Sequence, residues 1–160
     1  MNIENLTVAA GFTGITDYPS RSPFHPPSLY PEYAGKETDT CNLLYEETRN
    51  LFIRLGMDGK NAGKKEWNPF GEMIKPGMTV FIKPNTVIHH HRSGGDINAL
   101  IIHASILRPV LDYVCIALKG KGRIIIGDSQ IYTGDFDKAM EISGIEGLLK
   151  WYRTITAVPV

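Results

Sequence analysis

Two short β-branched runs, TVFIK at 79–83 and RIIIG at 123–127, flank a single amphipathic stretch, and that arrangement restricts the fold more than any other feature of the 160-residue chain. Pro84 closes the first run by removing an amide donor, and Gly127 closes the second. Between them, from about Ser105 to Leu118, Leu107, Val110, Leu111, Val114 and Leu118 recur at helical spacing, and Gly120 and Gly122 supply the stop. Pro109 fits such a helix in or beside its first turn. Strand, helix and strand in this order predict adjacent parallel strands joined by a right-handed crossover. RIIIG carries three consecutive isoleucines, so it is expected to be covered on both faces.

The remaining segments extend the alternation. LTVAA at 6–10 reads as a buried first strand ending at Gly11. Asp39 to Asn42 offer caps for a helix over about 43–55, with Leu44, Thr48, Leu51, Phe52 and Leu55 on one face and Gly56 as its stop. A glycine-rich connection follows, ending in the Pro76-Gly77 turn; it contains no GK[ST] and so is not a phosphate loop. Asp135 can cap a short helix ending near Gly144, and 146–153 reads as another. The expectation is one α/β domain over 1–160, a three-layer, Rossmann-like fold with a mostly parallel sheet and crossover helices. Residues 17–35, DYPSRSPFHPPSLYPEYAG, hold five prolines and four aromatics, which excludes a helix or a central strand. That segment is expected to wrap the domain as an extended loop pinned by Phe24, Tyr30 and Tyr33, the alternative being a lid or partner-binding segment.

Charge narrows the range of partners. The formal net charge is zero, which disfavours binding to nucleic acid by overall charge, yet residues 79–127 hold six basic and two acidic groups and four of the five histidines. An electropositive centre predicts an anionic ligand. No apolar run is long enough to span a bilayer, and the N-terminus lacks the pattern of a signal peptide, so the reading is soluble, cytoplasmic and without membrane partners. Cys41 and Cys115 are too far apart for a CxxC site and read as free thiols, Cys115 as a small core residue.

In a parallel sheet, ligands bind beyond the carboxyl ends of the strands. That rule nominates Lys83 and Asn85 after the first run, His103 before the crossover helix, and Asp128 and Ser129 after the second run. Lys83, Asn85 and Ser129 are ligand-binding candidates, His103 a proton carrier, and Asp128 the group that orients substrate or metal. An anion there would also be favoured by the free amides at the start of the 105–118 helix. Each of the five has a plainer reading as a solvated charge, a turn former or a cap. His89 and His91 would face the same way in an extended segment, which makes them metal candidates, although Asp96 is the one carboxylate nearby in sequence.

PGMTVFIKPN at 76–85, His103 ahead of an apolar helix containing Asp112 and Tyr113, and GRIIIGDS at 122–129 together resemble the prokaryotic domain-of-unknown-function family numbered 362. SPFHPPSLYPEYAG and WNPFG resemble the subgroup found beside surface-polysaccharide biosynthesis proteins. The resemblance spans about residues 6–153, with Ile102 standing where the family has Thr. That family has no agreed activity, so the functional expectation comes from the strand-end crevice: an enzyme, or a domain derived from one, that binds a small carboxylate- or phosphate-bearing metabolite. The alternative is a non-catalytic binding or assembly module of a glycan-biosynthesis or redox system. Some members of the family carry a four-iron cluster, but its cysteine spacing is absent here, so no iron–sulfur cluster is expected in this chain and the cofactor stays open. The family domain also continues further, and ITAVPV at 155–160 reads as the entrance to another strand. The chain is therefore expected to be the N-terminal part of a longer domain, with a missing C-terminal region or a protein partner.

Overall fold

The computed structural model describes residues 7–160, and all structural statements concern these. Its elements in order are α1 (Leu43–Arg54), a 3-10 turn (Gly59–Asn61), β1 (Thr79–Ile82), a second 3-10 turn (Ile97–Ala99), α2 (Ala104–Leu118), β2 (Arg123–Ile126), α3 (Phe136–Ile142) and α4 (Ile145–Ile155). β1 and β2 pair in parallel, Thr79 opposite Arg123 through Ile82 opposite Ile126, with α2 as the connection. The strand, helix, strand reading thus holds to within a residue or so at each end.

Gly122 is what lets the chain return so directly. Its φ is +110°, and a Cβ there would stand 2.3 Å from the Met78 carbonyl oxygen. The same tight approach carries bonds from the Gly77 amide to the Lys121 carbonyl and from the Arg123 amide to the Met78 carbonyl. A side chain at 122 would part the two strands at their entrance.

Among the described residues the sheet has two strands, so the structure is a mixed helix and strand fold with a small parallel sheet and four α-helices. Val80, Ile82, Ile124 and Ile126 face a core built with Leu107, Leu111, Val114 and Leu118 of α2 and Ile145, Leu148 and Tyr152 of α4. The opposite face is open. Phe81 is 61% exposed and Ile125 37%, which corrects the expectation that RIIIG is covered on both faces. With period-two alternation, one layer of helices can bury only every second residue of the run. LTVAA is a second correction: Leu6 lies outside the described residues, 7–10 form no strand, and Val8 is 88% exposed. At the far end, the Ile124 amide donates to the Pro159 carbonyl and Val158 is buried, so 158–160 runs beside the free edge of β2.

α1 departs from its expected face. Tyr45 and Arg49 are its buried residues, whereas Leu55 is exposed. Phe52 of the expected face does meet Tyr113 of α2 edge-on, but the buried contacts at Tyr45 and Arg49 are polar, so the buried face is turned by about one residue from the apolar stripe. Arg49 holds Glu32 side-on, Nε and Nη2 donating at 2.7 and 3.3 Å, the Tyr113 hydroxyl donates to the same carboxylate at 2.8 Å, and Tyr30 and Trp67 lie against the guanidinium face. Trp67, fully buried, anchors the glycine-rich connection by donating from its indole to the Met57 carbonyl at 2.8 Å. Pro109 is also deeper than expected, in the second turn of α2, where it is buried.

Residues 17–35 are irregular and packed onto the helices, in line with the wrapping-loop reading. Phe24 is buried in the main core, and Tyr30 stacks on Tyr45. Asn42 ties loop to helix: its side-chain oxygen caps the Tyr45 amide, and its amide donates to the Phe24 and His25 carbonyls at 3.0 Å each. Asn42→Ala removes the cap and leaves two carbonyls without a donor, one of them buried, so a loss of about 3 kcal/mol is expected. Urea unfolding should report it as a lower midpoint with an unchanged slope.

Candidate functional site

The carboxyl ends of β1 and β2 bring four of the five nominated residues together. The Lys83 ammonium lies 2.5 Å from Asp128 Oδ1 and donates to Asn85 Oδ1 at 3.3 Å. Asp128 also accepts the Ser129 amide on Oδ1 and the Thr86 amide on Oδ2, each at 2.8 Å, with the Thr86 hydroxyl at 3.4 Å. The Asp128 side chain is 1% exposed and that of Lys83 55%. Burial tends to raise the carboxyl's pKa, but the Lys83 ammonium and the two amides more than offset this and hold it below the ordinary carboxylate value. The outcome is a fixed carboxylate under an accessible ammonium, with the Asn85 amide beside it. Gln130 closes the floor by donating to the Thr86 carbonyl at 2.6 Å. Thr86, fully buried, is a member of this site that no sequence signal marked.

His103 stands one residue from this cluster along the backbone, because the Ile102 amide donates to the Asn85 carbonyl at 2.8 Å. Its ring makes its contacts elsewhere. It stacks on Tyr18 at 4.7 Å and meets Phe24 edge-on, while Nδ1 accepts the Ser105 amide at 3.2 Å and so caps α2. Nδ1 also lies 2.8 Å from the Ser105 hydroxyl, and in the form that accepts the Ser105 amide the proton of the neutral ring is on Nε2. Burial lowers the His103 pKa, in keeping with that neutral form. The first amides of α2 are occupied as well: Ala104 donates to the Ser143 carbonyl, Ser105 to His103, and Ile106 to the His103 carbonyl. The expected contribution of free helix amides to anion binding is therefore removed.

The electropositive centre is also partly neutralised. Asp128, from outside the 79–127 segment, pairs with Lys83. His89 and His91 each use Nδ1 on backbone amides, His89 on Asp135 and His91 on Ser93 and Gly95. Among the described residues no three His, Cys, Asp or Glu side chains are grouped to hold a metal ion.

A buried polar centre lies on the far side of α2, and hydrophobic periodicity gave no sign of it. Arg108, fully buried, donates to Asp112 at 3.0 Å, to the Pro23 carbonyl at 2.6 Å and to the Tyr33 hydroxyl at 3.0 Å, with Trp151 stacked 4.2 Å from its guanidinium. Asp112 accepts further bonds from the hydroxyls of Tyr45 and Tyr152. Burial, and then the Asp112 carboxylate, push both phenols above their ordinary pKa, so both remain donors. The one available signal is an Arg and an Asp four residues apart inside an otherwise apolar helix.

Cys41 and Cys115 are free thiols, and burial pushes Cys115 up to about 11. No described helix is long and apolar enough to cross a membrane. No family model matches the chain, and no curated protein or solved structure matches it either.

Proposed function

We propose that the protein binds a small carboxylate- or phosphate-bearing metabolite at the carboxyl ends of β1 and β2, as an enzyme or a domain derived from one. The observation that carries this reading is the accessible Lys83 ammonium clamped by the enclosed Asp128 carboxylate. An exposed lysine gains little stability from an ion pair, so a dedicated, amide-bonded carboxylate beneath it is better explained by positioning than by folding energy. Lys83 and Asn85 hold the anion, the Ser129 hydroxyl lies at the same strand end, and Asp128 fixes the ammonium. His103 enters through Nε2, since its Nδ1 is committed to the helix cap.

The resemblance to family 362 is part of the same proposal, its motif positions falling on Lys83, Asn85, His103, Asp128 and Ser129. A wider, three-layer Rossmann-like sheet belongs to the same proposal. Its support is the open face at Phe81 and Ile125 and the backbone bond from β2 to Pro159. Two free thiols accord with a reducing, cytoplasmic setting. The assembly-module alternative has less support, because Phe24 and Tyr33 of the proline-rich loop are engaged in packing.

Thermal unfolding in a series of small anions, beginning with inorganic phosphate and pyruvate, tests the site. A ligand at one hundred times its Kd should stabilise the native protein by about 2.7 kcal/mol, and Lys83→Ala should abolish the effect while leaving the fold intact. If no anion stabilises the wild type, or if Lys83→Ala retains the full shift, the strand-end reading fails. pH provides a second measure. The Asp128 carboxyl has a folded pKa below its unfolded value of about 3.9, so its stabilising contribution is complete above that value. It should be lost as pH falls through the folded pKa, and Asp128→Asn should flatten that part of the stability curve.

A further inference from the structure

A cavity of about 530 Å3 lies between α2, α4 and residues 33–37 of the loop, and it shares no residue with the strand-end site. We propose that this cavity binds a small aromatic carboxylate, with its ring against Trp151 and Ile116 and its carboxylate at Lys36. The volume falls within the range of small-molecule sites, and apolar side chains line most of it.

The polar groups of the cavity define what such a ligand must carry. Arg108 and Asp112 form its floor, but they satisfy one another and their neighbours Pro23, Tyr33, Tyr45 and Tyr152, so the floor calls for no added charge. Glu37 is engaged by His25, whose Nε2 lies 2.6 Å from Oε2. Among the described residues Lys36 has no carboxylate within ion-pair distance, which leaves its ammonium as the rim charge in want of an anion. His25 is committed to the loop: burial, and then Arg108, lower its pKa, and its neutral ring donates from Nε2 to Glu37. Its ring meets Trp151 edge-on, centroids 5.6 Å apart, and so braces the aromatic wall. Cys115 also lines the cavity, but its raised pKa keeps it a thiol, so binding involves no covalent step.

Calorimetric titration of the whole chain with 6-hydroxy-2-naphthoate, and in parallel with neutral 2-naphthol, tests the proposal. The naphthoate should bind with a Kd below about 1 mM, a modest affinity for a ligand of this size. Lys36→Met should weaken the naphthoate about fivefold and leave 2-naphthol unchanged, the signature of one exposed charge pair. Ile116→Trp should fill the cavity and abolish both. Ile155→Trp, at a wall position already 56% exposed, provides the same obstruction should the first variant not fold. Absence of binding to the wild type, retention of binding in a folded tryptophan variant, or an equal effect of Lys36→Met on both compounds would each overturn it.

Discussion

Asp112→Ala should be the most damaging single substitution on α2, lowering stability by about 3–5 kcal/mol. The reason is what remains behind rather than what is lost. The Asp112 carboxylate neutralises Arg108, which is fully enclosed, and receives the hydroxyls of Tyr45 and Tyr152. Removing it strands a guanidinium away from water and leaves the Tyr45 hydroxyl without its acceptor. Domains of this size have total stabilities of roughly 5–15 kcal/mol, so the melting temperature should fall by roughly 10 °C or more. Glu146→Ala provides the contrast, because its pair with Lys150 is 51% and 65% exposed and should contribute less than about 1 kcal/mol. Equal effects from the two substitutions, read by calorimetry, would show that the buried centre does not hold the helices together.

Ile124→Asp and Ile125→Asp should differ sharply although the residues are neighbours. Ile124 points into the core shared by α2 and α4, where a carboxylate has no partner, and the substitution should leave the domain unfolded at 25 °C. Ile125 faces away beside Phe81, its opposite number in register, and an aspartate there should cost about 1 kcal/mol. Circular dichroism of the two variants decides the matter. If Ile125→Asp unfolds and Ile124→Asp does not, the assignment of the two sheet faces is inverted.

These cases show which parts of the molecule can be read from the chain and which cannot. The β1, α2, β2 unit is legible because its signals are local and agree: β-branched runs, one helical stripe, and a proline and glycines at the joints. Grouping Lys83, Asn85, Asp128 and Ser129 at one sheet edge follows from the same unit, since a parallel pair must bring both strand ends to one side. His103 is legible as the residue ahead of α2 but not in its contacts, because a histidine there suits a cap as well as a site and the sequence does not show which way its ring turns. LTVAA misleads because a five-residue apolar run needs a neighbouring strand to be one itself. The buried face of α1, a helix whose extent the sequence does show, and the centre at Arg108 are hidden for a different reason. Charged residues read as surface until their partners are known, and the partners of Arg49 and Arg108 lie in the proline-rich loop, 17 residues away at Glu32 and 85 at Pro23. The cavity is formed by that same loop and two helices, so nothing local announces it.

The loop's attachment also bears on the order in which the chain acquires its structure. Its contacts with α2, from Pro23 and Tyr33 to Arg108 and from Glu32 to Tyr113, close chain segments of 75 to 85 residues. Every one of them requires a surface that exists only once α2 is formed. β1, α2 and β2 close a shorter circuit and bury the isoleucines that drive it. Because the entropy of closing a long segment must be met before its contacts give any return, the sheet and its crossover are expected to form first and the loop to dock last. The native protein should open in the reverse sequence. Amide hydrogens in 18–35 should exchange with solvent well before those of β2, so the wall of the cavity at Tyr33 to Glu37 is the part of the fold that most readily admits a visitor.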